Sequence, residues 1–305
     1  MAFGGVRPVL HLAFGTGPDE PIDHAALGGL ATAMVDAGVD GLVVLGLASE
    51  AWTLREPERE EVLRTVASVV AGRVPVTVGI EGTTGVALSR ALVAAAHGAA
   101  GLMVLPPAAA RTPALLAAHF GALADATGLP ILVQDSPQAT GVQLSLETLL
   151  ALAAHPLVRS LKSEVPGAGG KVSGAVDAGL EVVAGWGGLG YPDSVARGAV
   201  GVMPGCDLAP ALLDIDRRAR AGDAEGADAA YRAILPLLAF ECQSLELLLL
   251  GAKHHLRRAG LLPSERLRAP ARTLDDQEVA TLDAMLDRLA RDRVAGFPSP
   301  VTRPA

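Results

Sequence analysis

The feature that most constrains this chain is an alternation. Eight short apolar runs, at residues 9–14, 41–45, 74–78, 101–105, 130–133, 158–161, 180–184 and 199–203, are separated by longer stretches with helical patterning. The runs are rich in Val, Leu and Ile and show little polar alternation, as strands covered on both faces should. The first six gaps are filled by helical patterns at 23–37, 56–70, 85–97, 112–127, 145–154 and 167–177. A short helical turn at 193–196 fills the seventh. The second pattern opens with Glu56 and Pro57, and acidic residues and Pro in a first turn are start signals. Eight strands in about 200–250 residues, each followed by a helix, predict an α/β fold, a (β/α)8 TIM barrel over residues 1–206. A doubly wound sheet shares the alternation, but the count of eight and the lack of a second lobe favour the barrel. Helical patterns at 207–220, 224–239, 244–259 and 275–290 then predict a C-terminal helical region over 207–295. The ending GFPSPVTRPA predicts a disordered tail at 296–305.

Composition narrows the partners. Half the residues are apolar and few are aromatic, so the core must be built from Ala, Val and Leu. A formal net charge of −8 argues against nucleic acid or an anionic membrane as the main partner. It does not oppose a small anionic substrate, because a local pocket can reverse the global sign. Cys206 and Cys242 make neither a disulfide framework nor a metal cluster and suit a reducing compartment. The first residues lack the layout of a signal peptide, and no apolar run is long enough to span a bilayer. The expectation is a cytoplasmic protein.

Catalytic groups of a barrel sit at the C-terminal ends of its strands. That rule singles out Lys162, which ends the apolar run Val-Arg-Ser-Leu. Desolvation there would lower its pKa and free the amine to attack a ketone. A lysine that only caps the strand or pairs with Glu164 is an equal competitor. The other two lysines, Lys171 and Lys253, fall in helical segments and read as solvated. Glu164 lies two residues beyond Lys162 and would point the same way on an extended segment. It could move protons beside an imine, or simply hold Lys162 as an ion pair. The loop Gly46-Leu47-Ala48-Ser49-Glu50 could hold a carboxylate through its amides and the Ser49 hydroxyl, or be an ordinary turn. The run Gly185-Trp186-Gly187-Gly188-Leu189-Gly190 fits a dinucleotide fingerprint. The helix after it is too short, so it reads as a glycine-lined pocket wall. His254 and His255 lack partners at metal-ligand spacing and read as a pair on a helix surface.

These residues resemble those of the dihydrodipicolinate synthase / N-acetylneuraminate lyase superfamily of class I aldolases and dehydratases. The resemblance covers about residues 6–270. GVDGLVVLGLASEAWTLREPEREEVL resembles the family's GTTGE loop and the helix after it, PILVQDSPQATGV its fifth-strand segment, and VRSLKSE its Schiff-base segment. GWGG and GVMPG match its later substrate loops, which brings in Gly185 and Met203. The resemblance implies that Lys162 forms the imine, and that Ser49 with the Ala48–Ser49 amides holds a substrate carboxylate. It implies no metal or organic cofactor, a small 2-oxo acid as partner, and a homo-oligomer, dimer or tetramer.

The departures carry further meaning. The family's catalytic tyrosine falls on Gln134, its threonine pair on Leu47 and Ala48, and the synthases' carboxylate-binding arginine on Ala139. The tyrosine pair shared across a dimer falls on Ala108 and Ala109. A synthase needs that relay and that arginine. Glutamine at the tyrosine position, with Lys-x-Glu on the sixth strand, resembles instead the 2-keto-3-deoxy-L-arabonate dehydratases. The resemblance therefore implies dehydration of a 3-deoxy-2-oxo sugar acid, with Gln134 orienting a hydroxyl or water. Aldol cleavage releasing pyruvate, synthase-like condensation, and a non-catalytic 2-oxo acid-binding barrel are the alternatives.

Overall fold

A computed structural model of the chain describes residues 2–165 and 167–297. Eight strands form one parallel sheet: β1 (Gly5–Val6), β2 (Leu42–Val44), β3 (Val76–Ile80), β4 (Gly101–Val104), β5 (Ile131–Asp135), β6 (Ser160–Ser163), β7 (Glu181–Ala184) and β8 (Gly201–Val202). Their order is β1-β8-β7-β6-β5-β4-β3-β2. Val9 closes the ring by bridging in parallel to both Val43 and Gly205. The result is the expected (β/α)8 barrel.

The helices are α1 (His24–Ala37), α2 (Glu56–Val70), α3 (Thr84–Ala96), α4 (Pro113–Thr127), α5 (Pro137–Thr140), α6 (Leu146–Leu152), α7 (Gly169–Asp177), α8 (Tyr191–Ala196), α9 (Ala209–Arg220), α10 (Ala224–Glu241), α11 (Leu245–Arg258) and α12 (Asp276–Arg291). Local chemistry sets their ends. The Asp23 carboxylate accepts from the Ala26 N–H at the start of α1, and Gly38 ends that helix in the left-handed region. Thr112 and Ser145 cap α4 and α6 in the same way as Asp23. Helix α9 follows β8 and packs on β1, completing the eighth βα unit. Helices α10, α11 and α12 lie beyond it. Among the described residues no helix is long and apolar enough to cross a membrane.

Two apolar layers hold this together. Val9, Val43, Met103, Leu132, Val183 and Met203 belong to a small cluster that includes residues from strands all round the barrel. A larger cluster joins the outer faces of the strands to the helices. The interior is a packed core, as barrels of this size require.

The first expected strand needs correction. Residues 9–14 do not form a ladder; the strand is Gly5–Val6, and only Val9 bridges afterwards. Pro8 has no N–H to continue the pairing. Beyond Val9 the chain leaves the wall, and buried Phe14 comes to lie 4.7 Å from both Lys253 Nζ and the Arg268 guanidinium. Strands β5 and β6 run two residues beyond the apolar runs that announced them, so Gln134 and Lys162 lie inside the ladder. The packed chain continues to Phe297, which is buried and stacks on His255; the rest of the expected tail, 298–305, lies outside the described residues.

One glycine tests the barrel wall. A Cβ on Gly79 would lie 2.1 Å from the Leu45 carbonyl oxygen, so β3 needs glycine to lie this close to the end of β2. Gly79→Ala should destabilise the protein by about 2–3 kcal/mol, seen as a lower urea midpoint with an unchanged slope. An unchanged midpoint would show that the end of β2 yields freely.

Candidate active site

The site is assembled by strand register. Gln134 pairs with Lys162, and Asp135 with Ser163, across β5 and β6. Alternate side chains face opposite ways. Asp135 turns away from the site, where it meets Lys171 and accepts from the Leu144 N–H at 3.2 Å. Gln134, Lys162 and Glu164 turn together. Lys162 Nζ lies 2.8 Å from Glu164 Oε1. Gln134 Nε2 donates to Glu164 Oε2 at 2.8 Å. The Trp186 backbone N–H donates to Glu164 Oε1 at 3.4 Å. Lys162 and Glu164 are 3% and 5% exposed, so this is a buried ion pair.

Burying two charges is costly unless each finds a partner. Burial pushes the Glu164 carboxyl up. The Lys162 ammonium and hydrogen bonds from Lys162 and Gln134 outweigh that effect and hold it below the usual carboxylate range. Glu164 is therefore ionised at neutral pH, with its orientation set by donors on both oxygens.

Lys162, Glu164, Ala48 and Met203 line one small cavity of about 30 Å³, room for about one water. Two expected positions take different parts. Gly185 does not line it but packs behind the pair: a Cβ there would lie 2.4 Å from Glu164 Cγ and 2.9 Å from Lys162 Cε. Ser49 needs correction. Its hydroxyl donates to the Leu10 carbonyl at 2.6 Å and its N–H to the Gly46 carbonyl at 3.1 Å. Both protons are thus committed within the protein, and Ser49 holds the loop. The amides of Leu47 and Ala48 head the 3-10 turn Leu47–Ser49, where the first N–H groups lack intrahelical partners.

Other residues were misread or missed. Lys253 is fully buried against Glu50, and Lys171 is mostly buried against Asp135; neither is a solvated helix lysine. His254 and His255 are buried too. Helix α11 is enclosed on the side where an open surface was expected. His254 bridges Glu265 and Asp283 at 2.8 and 2.9 Å. The run at 185–190 makes a 3-10 turn into the six-residue helix α8, so its pattern serves no dinucleotide fold. Trp186 and three leucines of α11, Leu245, Leu248 and Leu249, also line the cavity. No local signal marks these leucines, because they reach the site from more than eighty residues beyond Lys162.

A (β/α)8 barrel with a buried lysine–carboxylate pair at the end of its sixth strand defines the class of protein. The model of the dihydrodipicolinate synthetase family matches residues 3–289, and the chain belongs to that family. It is 34% identical over 295 residues to an L-2-keto-3-deoxyarabonate dehydratase of Azospirillum brasilense, covering 93% of this chain and 94% of the relative. It is also 34% identical over 298 residues to a 4-hydroxy-tetrahydrodipicolinate synthase of Acidothermus cellulolyticus, covering 92% and 90%. Among solved structures, dihydrodipicolinate synthase from Rhodopseudomonas palustris superposes with a TM-score of 0.86 at 26% identity, covering 94% of this chain and 98% of that one.

The Lys253–Glu50 pair supports the loop below the cavity. Burial pushes the Glu50 carboxyl up and the Lys253 ammonium down, and their contact offsets part of both shifts. Lys253→Met should destabilise the protein by about 3–5 kcal/mol by leaving Glu50 buried without its paired cation, with only the Arg268 N–H still donating to it at 2.9 Å. The double variant with Glu50→Gln should recover most of that loss in thermal unfolding. Additive losses would show that the two groups do not act as a pair.

Proposed function

We propose that the protein is a lyase that forms an imine between Lys162 and a 2-oxo acid, and that it dehydrates a 3-deoxy-2-oxo sugar acid. The observation that carries this reading is the contact of Glu164 with Lys162 Nζ while Gln134 fixes its other oxygen. The name of the Azospirillum relative supports the reaction class. Gln134 in place of a tyrosine supports dehydration over condensation. Free thiols at Cys206 and Cys242 support a cytoplasmic setting.

In this mechanism Glu164 takes a proton from Lys162, and the free amine attacks the C2 ketone. Glu164 returns that proton to the carbinolamine hydroxyl, which leaves as water to give the iminium and restores the carboxylate, and the iminium acidifies the C3 proton. Glu164 removes that proton, and Gln134 steadies the carboxyl group through both transfers. The C4–O bond then breaks, and the hydroxide leaves as water with the proton from Glu164. The unsaturated iminium tautomerises. One water hydrolyses it, replacing the water lost on imine formation, so the net change is loss of one water. Ala48 and the Leu47–Ala48 amides would face the substrate carboxylate. If the C3–C4 bond breaks instead, the same imine gives pyruvate and an aldehyde. We infer also a homo-oligomer, dimer or tetramer: Leu92 and Val93 on α3 and Leu115 on α4 stand exposed on adjacent helices.

Incubation with pyruvate and borohydride should add one adduct, mapped to Lys162 by mass spectrometry. An adduct elsewhere, or none, would remove the imine. With a 3-deoxy-2-oxo sugar acid the expected product is a dioxo acid; pyruvate plus aldehyde would select cleavage. Gly185→Ala, which pushes against Glu164 and Lys162, should lower turnover by at least about tenfold, from disturbed positioning of the reacting groups. The methyl also overpacks a buried pair, so the melting temperature should fall too, and turnover is compared at a temperature where the variant is folded. Full activity in Gly185→Ala would show that the pair tolerates displacement.

A further inference from the structure

Trp186 holds a backbone conformation that its own side chain opposes. Its φ is +50°, in the left-handed region where a bulky residue is an outlier. It opens the 3-10 turn Trp186–Gly188 after β7. Gly185 precedes it and Gly187 and Gly188 follow, so a large side chain sits at one position of an otherwise glycine turn.

Strain of this kind persists only where the surroundings hold it. Helix α10, outside the barrel, does so. Trp186 Nε1 donates to the Cys242 carbonyl at 3.1 Å, and the Cys242 thiol donates to the Trp186 carbonyl at 3.4 Å. Cys242 caps the end of α10, where carbonyls lack intrahelical partners, so the indole answers one of them. Tyr231 of the same helix donates to the Leu189 carbonyl at 2.5 Å. The space between is filled: a Cβ on Gly187 would lie 3.2 Å from both Cys242 Sγ and Leu238 Cδ2. One helix thus clasps the turn at two points.

The clasp sets a direction. The Trp186 N–H donates to Glu164 Oε1 at 3.4 Å, the same oxygen that lies 2.8 Å from Lys162 Nζ. Glu164 borders the cavity at Lys162 on one side and a cavity of about 260 Å³ next to α7 and α8 on the other. Packing alone therefore leaves its carboxylate room, and donors must fix it. We propose that Trp186 is a positioning residue: α10 holds it in the left-handed conformation, which aims its N–H at the Glu164 oxygen that exchanges a proton with Lys162.

The sign of the effect follows from what faces Glu164. These groups are Lys162 from β6, Gln134 from β5, the Trp186 N–H and, at the end of α10, Cys242. Burial pushes the Cys242 thiol up, so it stays neutral. Asp193 of α8 borders the larger cavity but pairs with Arg197 at 2.8 Å. A carboxylate that loses a donor is protonated more easily. Releasing Trp186 should therefore raise the Glu164 pKa and move the acid limb of its proton transfer to higher pH.

This inference rests on the imine reading of Lys162, and the two fail differently. Trapping with pyruvate and cyanoborohydride would be timed from pH 4 to 8 in the wild type and in Trp186→Phe, which keeps a ring and loses the Nε1 donor. The ratio of the two rates at each pH removes the reagent's own pH dependence. It should be nearly constant at pH 7–8 and fall by up to about tenfold towards pH 4, a shift of the limb of up to about one pH unit. A ratio lowered equally at every pH, as a purely structural role would give, or a ratio of one throughout, would overturn the proposal. No adduct on Lys162 in the wild type would overturn the imine reading and this inference with it. If Trp186→Phe does not fold, Tyr231→Phe, which removes the second clasp, decides: its ratio should fall in the same direction by less, and a flat ratio overturns the proposal.

Discussion

The site depends on closure of the barrel. Val9 bridges Val43 on one side and Gly205 on the other, which joins the first and last strands of the parallel sheet. Closure brings every strand's C-terminal end to one mouth. It also removes both sheet edges, so the short β1 and β8 survive as two-residue ladders. Without it, Ala48 after β2 and Met203 after β8 would not line the same cavity as Lys162.

The chain buries its lysines only where each can be answered. Lys162 faces Glu164, Lys253 faces Glu50, and Lys171 faces Asp135, so all three lysines of the chain carry a carboxylate partner. Each cation is also a desolvated group, which makes these contacts specific as well as costly. Asp207 and Glu241 depart from the pattern, since carboxyl oxygens of both are buried and unanswered. Burial without a partner pushes the pKa of both carboxyls up.

Much of the fold was legible. Parallel strands covered on both faces need continuous apolar runs, and helices between them need caps and a 3.6-residue period, so both left local traces. Lys162 and Glu164 were legible for the same reason, because two residues along a strand put side chains on one face. Ser49 was misplaced because the loop's composition shows that a hydroxyl is present but not which carbonyl it meets. Lys253, His254 and His255 looked solvated because a helix's polar residues read alike whether they face water or a buried partner, a carboxylate for the first two and the Gly296 carbonyl for His255.

The sequence by itself determined the class of fold, the order of its strands and the lysine and carboxylate at the end of the sixth. These depend on periodicity and on neighbours two to four residues apart. Only the tertiary structure decided that Gln134 holds Glu164 from the next strand, that Gly185 is needed behind the pair, and that leucines of α11 line the cavity. Those contacts join residues up to about a hundred positions apart. Their partners are selected by register, barrel closure and packing, none of which leaves a pattern along the chain.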